Sequence, residues 1–282
     1  MTAAPLQPGP HRLREMAGRM SWGIVAWVVG LAFFLPVLWM VLTAFKPESA
    51  AETWPPQFIF TPTLSEFRLV FSGMGPFLTH SVIATVGSTI VVVLLAVPAS
   101  YALSVHPVKH WRDGLFFFIS TKMLPIVAAI GPLYVIALHL HLLDSIWLLI
   151  ILYTAMNLPL AIWMIRSFMI EVPGELLEAA RLDGAGRIRE ITGVILPVIS
   201  PGLVSTALIC VIFAWNELFL ALNLTVTNAA TMPMFLISSV PQEGLYIAHL
   251  SAAATVASVP VILVGWIAQR SLVRGLSMGA IK

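Results

Sequence analysis

Six stretches of this chain are apolar, nearly free of charge and long enough to cross a lipid bilayer, which leaves few folds open to it. They lie at 22–45, 81–105, 114–138, 145–168, 200–222 and 248–269. The hydrocarbon core of a bilayer is about 30 Å thick, and a helix rising about 1.5 Å per residue needs about 20 residues to span it. Strands of a membrane barrel would instead show alternating segments of about ten residues. The expected fold class is therefore an all-α membrane protein with six transmembrane helices. The first run exceeds the apolar core of a signal peptide, about 7–15 residues, and lacks a small-residue cleavage site, so it reads as a membrane helix. The apolar stretch at 232–240 is too short to cross and reads as a loop with a short surface helix.

The charge count closes off other classes. There are 15 Lys+Arg and 13 Asp+Glu in 282 residues, 10% in all, against about 25% in an average soluble domain. Hydrophobic residues make up 59%, too many for a disordered chain. The single Cys210 excludes a disulfide scaffold. A net charge of +2 gives no argument for nucleic acid as a partner; the expected surroundings are membrane lipid.

Six spans place both termini on one side, and the positive-inside rule selects it. The N-terminal side carries Arg12, Arg14, Arg19, Lys109, Arg112, Arg166, Arg181, Arg187, Arg189, Arg270, Arg274 and Lys282. The opposite side carries Lys46 and Arg68, while Lys122 falls inside the third span and is expected to snorkel to the cytoplasmic surface. Both termini are thus expected in the cytoplasm, the first as a Pro-rich basic tail at 1–21. Outside, Thr63 and Glu66 match a capping box, and Phe67, Val70 and Phe71 mark the apolar face of a helix lying at the interface.

The cytoplasmic loop at 169–199 holds the most informative residues. Pro173 suits the opening of a short helix, and Glu175 and Glu178 near its start suit the helix dipole. Gly184 permits a sharp bend, after which a second helical piece is expected, with Asp183 and Arg187 spaced for an i,i+4 ion pair. Leu176, Leu177, Ala180 and Leu182 form an apolar face that either docks into another protein's groove or packs on the chain's own helix ends.

These residues resemble the EAA signature of permease subunits of bacterial ATP-binding-cassette (ABC) importers: Glu-Ala-Ala, three residues, Gly, nine residues, Ile, one residue, Leu-Pro. Glu178, Ala179, Ala180, Gly184, Leu196 and Pro197 stand at that spacing, and Val194 replaces the Ile by another β-branched residue. The extension through Leu182, Asp183, Gly184 and Ala185 is similar to the sugar-importer branch. Ser120-Thr-Lys-Met-Leu-Pro125, Ala214-Trp-Asn-Glu217, Gln242-Glu-Gly-Leu-Tyr246, Leu250-Ser-Ala-Ala and the end of the chain from Leu272 to Lys282 look like the second permease of carbohydrate importers. The first of these stretches and the Glu-Gly-Leu loop with Leu-Ser-Ala-Ala after it resemble the sorbitol/mannitol importers most closely.

The resemblance implies a type I ABC importer permease fold in the bacterial inner membrane. It implies as partners a second permease, two ATPase subunits, and a periplasmic or lipid-anchored solute-binding protein that delivers a sugar or polyol. Glu178, Ala179, Ala180, Asp183, Gly184, Leu196 and Pro197 would then couple to the ATPase, and Gly279 and Lys282 would belong to a tail reaching it. The expected cofactors are none in this chain, with ATP and Mg held by the partner ATPase. A disaccharide such as trehalose or maltose is the alternative cargo, and a stand-alone proton-coupled transporter the rival class.

Little else points to chemistry. No Gly-Lys dipeptide occurs, so a Walker A loop is absent. His139 and His141, two apart, fall on different helix faces and do not pair as metal ligands, so the chain is expected to be a transport subunit without catalytic or metal residues. An ionisable residue within a span is costly and points to function, which singles out Glu217. With Trp215 and Asn216 it forms a candidate substrate path, with bracing or gating preferred because sugar permeases for different sugars share the tripeptide. Prolines 36, 98, 125, 132, 159 and 260 predict kinked or broken helices.

Overall fold

A computed structural model describes residues 10–239 and 246–278. Every described element is helical. Helix α1 (Pro10–Ala44) is followed by the short α2 (Glu48–Ala51) and α3 (Ser65–Gly73), then by the long α4 (Gly75–Ser104). Next come α5 (Trp111–Thr121), α6 (Ile126–His139), α7 (Ile146–Ile170), α8 (Gly174–Leu182) and α9 (Arg187–Glu190). A π-helical turn (Ile191–Ile195) leads into α10 (Leu196–Trp215), and α11 (Phe219–Leu224), α12 (Met232–Ser238) and α13 (Ile247–Met278) complete the described chain. Five of these helical stretches are long and apolar enough to cross a membrane, and a sixth crossing follows if α5 and α6 count as one broken span.

The run at 114–138 is not one straight helix. Its two halves, α5 and α6, meet at 91°. Pro125 supplies no N–H to an incoming helix and biases Leu124 away from helical backbone. Lys122 lies at this break with its side chain exposed, its Nζ 5.9 Å from the ring centroid of Phe213. Pro36, Pro98, Pro132, Pro159, Pro201 and Pro260 sit inside helices that continue past them.

Helices α4, α7 and α10 form the centre. Val92, Ala96, Tyr101, Ala161, Ile162, Ile165, Met169, Ile199 and Cys210 are buried in one cluster. Ser100 Oγ donates to the Ile162 carbonyl at 3.0 Å, tying α4 to α7. Gly202 of α10 lies directly against the Phe168 ring of α7. Helix α13 packs on α10 and α1, while α1 turns Trp22, Trp27 and Phe33 outward. Side chains that are apolar all round suit a helix bathed in lipid.

Two local expectations change. Thr63 does not complete a capping box, because α3 starts one residue later: Thr63 Oγ1 accepts from Ser65 N at 3.1 Å, and Glu66 turns to His249 Nδ1 at 3.3 Å. The short α12 is half sunk, with Ile237 and Ser238 exposed. Met232 and Phe235 are buried against α4 and α13, and Met232 N donates to Ser81 Oγ at 2.7 Å.

Candidate functional site

The loop at 169–199 forms a hairpin at one end of the bundle, built by its glycines and prolines. Pro173 stands at the N-cap position of α8. The helix stops at Gly184, whose φ of 78° lies in the left-handed region where a Cβ is penalised. Gly184 N donates to Arg181 O at 3.0 Å and Ala185 N to Ala180 O at 2.9 Å. This 6→1 and 5→2 pair is the Schellman stop that a glycine after the last helical residues favours. Gly186 reopens the chain into α9, which continues through the π-turn into α10. The π-turn has a local cause in Pro197: with no N–H there, the backbone widens one turn earlier, and Leu196 N bonds Ile191 O.

This geometry places the signature residues unevenly. Glu178, Ala179, Asp183 and Pro197 are exposed, whereas Ala180 and Leu196 are half-buried. Leu177 is buried and anchors α8 to the central cluster that holds Tyr101, Met169 and Ile195. The rest of the apolar face is uncovered: Leu176 is exposed, Leu182 is 88% exposed and Ile188 is 79% exposed. Packing on the chain's own helices thus accounts for Leu177, while Leu176 and Leu182 are left uncovered.

The expected Asp183–Arg187 pair is not among the ion pairs of the described residues, because the two residues do not share a helix. Asp183 ends α8, and the left-handed Gly184 turns the chain before Arg187 opens α9. A different pair spans the bend. Arg181 Nε donates to Glu190 Oε2 at 3.1 Å and Nη2 to Oε1 at 2.9 Å, a bidentate pair across nine residues. Glu190 is 2% exposed, and the Arg181 side chain 41%. Arg181 Nη2 also lies 3.1 Å from His106 Nε2, just beyond the end of α4. Its hydrogen bonds to the Glu190 carboxylate push the Arg181 guanidinium above its ordinary pKa. Sequence reasoning missed this trio, since no spacing rule relates positions joined through a glycine turn and a distant helix end.

Trp215, Asn216 and Glu217 lie elsewhere, at the far end of α10. Trp215 is buried, and its Nε1 donates to the Ala257 carbonyl of α13 at 3.1 Å. Asn216 is exposed and donates back to Ile212 O at 2.8 Å. Glu217 turns its carboxylate onto the start of α11, accepting from Leu220 N at 3.0 and 3.1 Å and from Ala221 N at 3.4 Å. Its carbonyl accepts from Tyr153 Oη at 3.4 Å. Trp215 and Asn216 also line a largely apolar cavity of about 240 Å³ with Met232, Leu236 and Ser258. The tail residues Gly279 and Lys282 lie outside the described residues, as does most of the stretch from Gln242 to Tyr246.

A bundle of long apolar helices with an uncovered hairpin at one end defines a multi-helix membrane protein. Residues 93–278 match the family described as binding-protein-dependent transport system inner membrane component, and the chain belongs to that family. It is 36% identical over 266 residues to the probable ABC transporter permease protein y4oR of Sinorhizobium fredii, covering 94% of this chain and 96% of that protein. It is 34% identical over 264 residues to the trehalose transport system permease protein SugB of Mycobacterium tuberculosis, covering 90% and 94%. Among solved structures, a bacterial ABC transporter involved in the import of the acidic polysaccharide alginate matches with a TM-score of 0.74 at 20% identity, covering 95% of this chain and 99% of that one. The chain thus has the type I ABC importer permease fold and is a transport subunit, not an enzyme.

Proposed function

We propose that this chain is the second permease of an importer for sugar alcohols of the sorbitol/mannitol type, with both termini in the cytoplasm. A binding protein delivers the polyol from outside, this chain and a second permease form the path, and two ATPase subunits supply the work. The observation that carries the reading is the hairpin of α8 and α9. It is anchored inward by Leu177 and leaves Leu176, Leu182 and Ile188 uncovered beside an exposed Glu178. Such a knob suits a cleft on a soluble partner, and the resemblance of Glu178 to Pro197 to the EAA signature supports the ATPase as that partner. ATP-driven closure of the ATPase pair draws the hairpins together and opens the path outward; release of ADP and phosphate returns it inward. Trp215, Asn216 and Glu217 brace the α10–α11 turn and gate the path, since two of the three side chains are engaged with backbone of other helices.

The polyol assignment rests on the resemblance at Ser120–Pro125 and Leu250–Ala253. A disaccharide is the second reading, favoured by the 34% identity to a permease named for trehalose. The complete transporter, in proteoliposomes with its own binding protein, separates the two. Sorbitol or mannitol should stimulate ATP hydrolysis and accumulate inside, and trehalose and maltose should do neither. Stimulation by the disaccharides alone overturns the polyol reading.

A further inference from the structure

We propose that Arg181 and Glu190 form a latch that transmits displacement of α8 to the membrane-spanning helices, which makes them positioning residues for coupling. The inference rests on the reading that α8 meets the ATPase. Between α8 and α9 the chain passes through Gly184, with its left-handed φ, then Ala185 and Gly186. A backbone hinged at two glycines is a poor connecting rod, because it bends before it pushes. The bidentate pair bridges that hinge from side chain to side chain, with both Arg181–Glu190 contacts at 3.1 Å or less. Two parallel N–H···O bonds fix orientation as well as distance.

One end of the latch sits on an element that continues into the core, and the other touches the end of α4. Glu190 closes α9, and the stretch from Arg187 to Trp215 runs on as one apolar helical span. Arg181 also reaches His106 beyond the end of α4, at 3.1 Å. A shift of α8 therefore reaches α10 through Glu190 and α4 through His106, two of the three central helices. Leu177 is the apolar counterpart, held against Tyr101 and Ile195. The groups facing the pair are Tyr101 and His106 from the α4 side and Arg187 from α9. Neither Tyr101 nor His106 supplies a fixed charge that would replace Arg181. Among the described residues Arg187 faces the pair without a hydrogen bond to Glu190, which is 2% exposed, so loss of Arg181 leaves a buried carboxylate without its bidentate donor, an unfavourable state.

The test uses the complete transporter in proteoliposomes, with uptake and binding-protein-stimulated ATP hydrolysis measured on the same preparation. Arg181→Gln and Glu190→Gln should lower uptake per ATP hydrolysed by about tenfold, within the usual range of coupling between sites. The paired variant Arg181→Gln/Glu190→Gln guards against misfolding, since it leaves no orphan charge. It should co-purify with the ATPase and remain uncoupled to the same degree. The reversed pair Arg181→Glu/Glu190→Arg should recover most of the ratio. A normal ratio in the paired Gln variant overturns the latch, and so does failure of the reversed pair to recover it. Glu178→Ala combined with Ala180→Trp serves as the control on the underlying reading: normal uptake there means that α8 is not the ATPase contact. If that control loses uptake while the paired Gln variant transports normally, only the latch is wrong.

Discussion

The Asp144 carboxylate accepts both the backbone N–H of Asn228, at 3.1 and 3.0 Å, and its side-chain Nδ2 at 2.9 Å. Val226, Thr227 and Ala229 point their backbone N–H groups at the same carboxylate. The turn between α11 and α12 thus wraps around a side chain from the α6–α7 loop, and Asp144 N returns a bond to Leu224 O at 2.9 Å. Successive N–H groups turned inward make an anion-binding nest, which the protein fills with its own carboxylate.

Burial alone would raise the pKa of Asp144, but the N–H groups of Val226, Asn228, Thr227 and Ala229 outweigh it and hold the value at about 2. A carboxylate depressed in the folded state contributes stability above its ordinary pKa near 4 and loses that contribution as the pH falls through about 2. Asp144→Ala should therefore destabilise the protein by about 2 kcal/mol at pH 7, in the range for hydrogen bonds to a charged group. Thermal unfolding in detergent should show the gap to wild type shrinking between pH 4 and pH 2. A gap independent of pH would show that the carboxylate's charge is not what organises the turn.

A steric contact at the core is equally open to test. A Cβ on Gly202 would fall within the Phe168 ring, so α10 and α7 approach closely only because that residue is glycine. Gly202→Ala should cost about 1–3 kcal/mol, as over-packing usually does. Phe168→Leu in the same chain should recover part of the loss. Melting temperatures of the two single variants and the double decide the matter, and strictly additive losses would mean that the residues do not oppose one another.

The sequence specifies the helical class because the apolar runs carry it directly, and Gly184 marks the bend by its backbone chemistry. It does not specify where a run breaks: the pattern at 114–138 is continuous in polarity, and only Pro125 hints at the 91° turn. The pairings between distant residues were out of reach for a different reason. Arg181 with Glu190, Asp144 with Asn228, and Trp215 with Ala257 depend on how helices pack, and hydropathy periodicity carries no such information. Thr63 and Glu66 show the converse. Both residues suit a helix start, but a tertiary partner, His249, takes the Glu66 carboxylate.

Gly184 separates backbone strain from crowding, because a Cβ there meets no atom within 4 Å. Within the chain itself, strain on substitution comes from the φ of 78°, which costs an ordinary L residue about 1–2 kcal/mol. Gly184→Val should abolish uptake while the protein still inserts into the membrane. Gly184→Asn should retain much of it, since Asn tolerates left-handed backbone. Uptake assays with immunoblots of the membrane fraction measure both quantities. Equal uptake by the two variants would mean that the turn's conformation has no part in coupling.

Glu217 distinguishes a brace from a proton carrier. Its carboxylate accepts the Leu220 and Ala221 amides at the start of α11, a geometry that needs an acceptor oxygen but no titrating proton. Glu217→Gln keeps one such oxygen, so it should leave uptake within a few-fold of wild type. Glu217→Ala removes both oxygens and should cost about 1 kcal/mol of stability, as the loss of a helix cap does. Uptake driven by ATP at several pH values, measured beside melting temperature, tests both variants. If Glu217→Gln lost transport yet melted at the wild-type temperature, the ionised carboxylate would have a role in the path that bracing α11 does not explain.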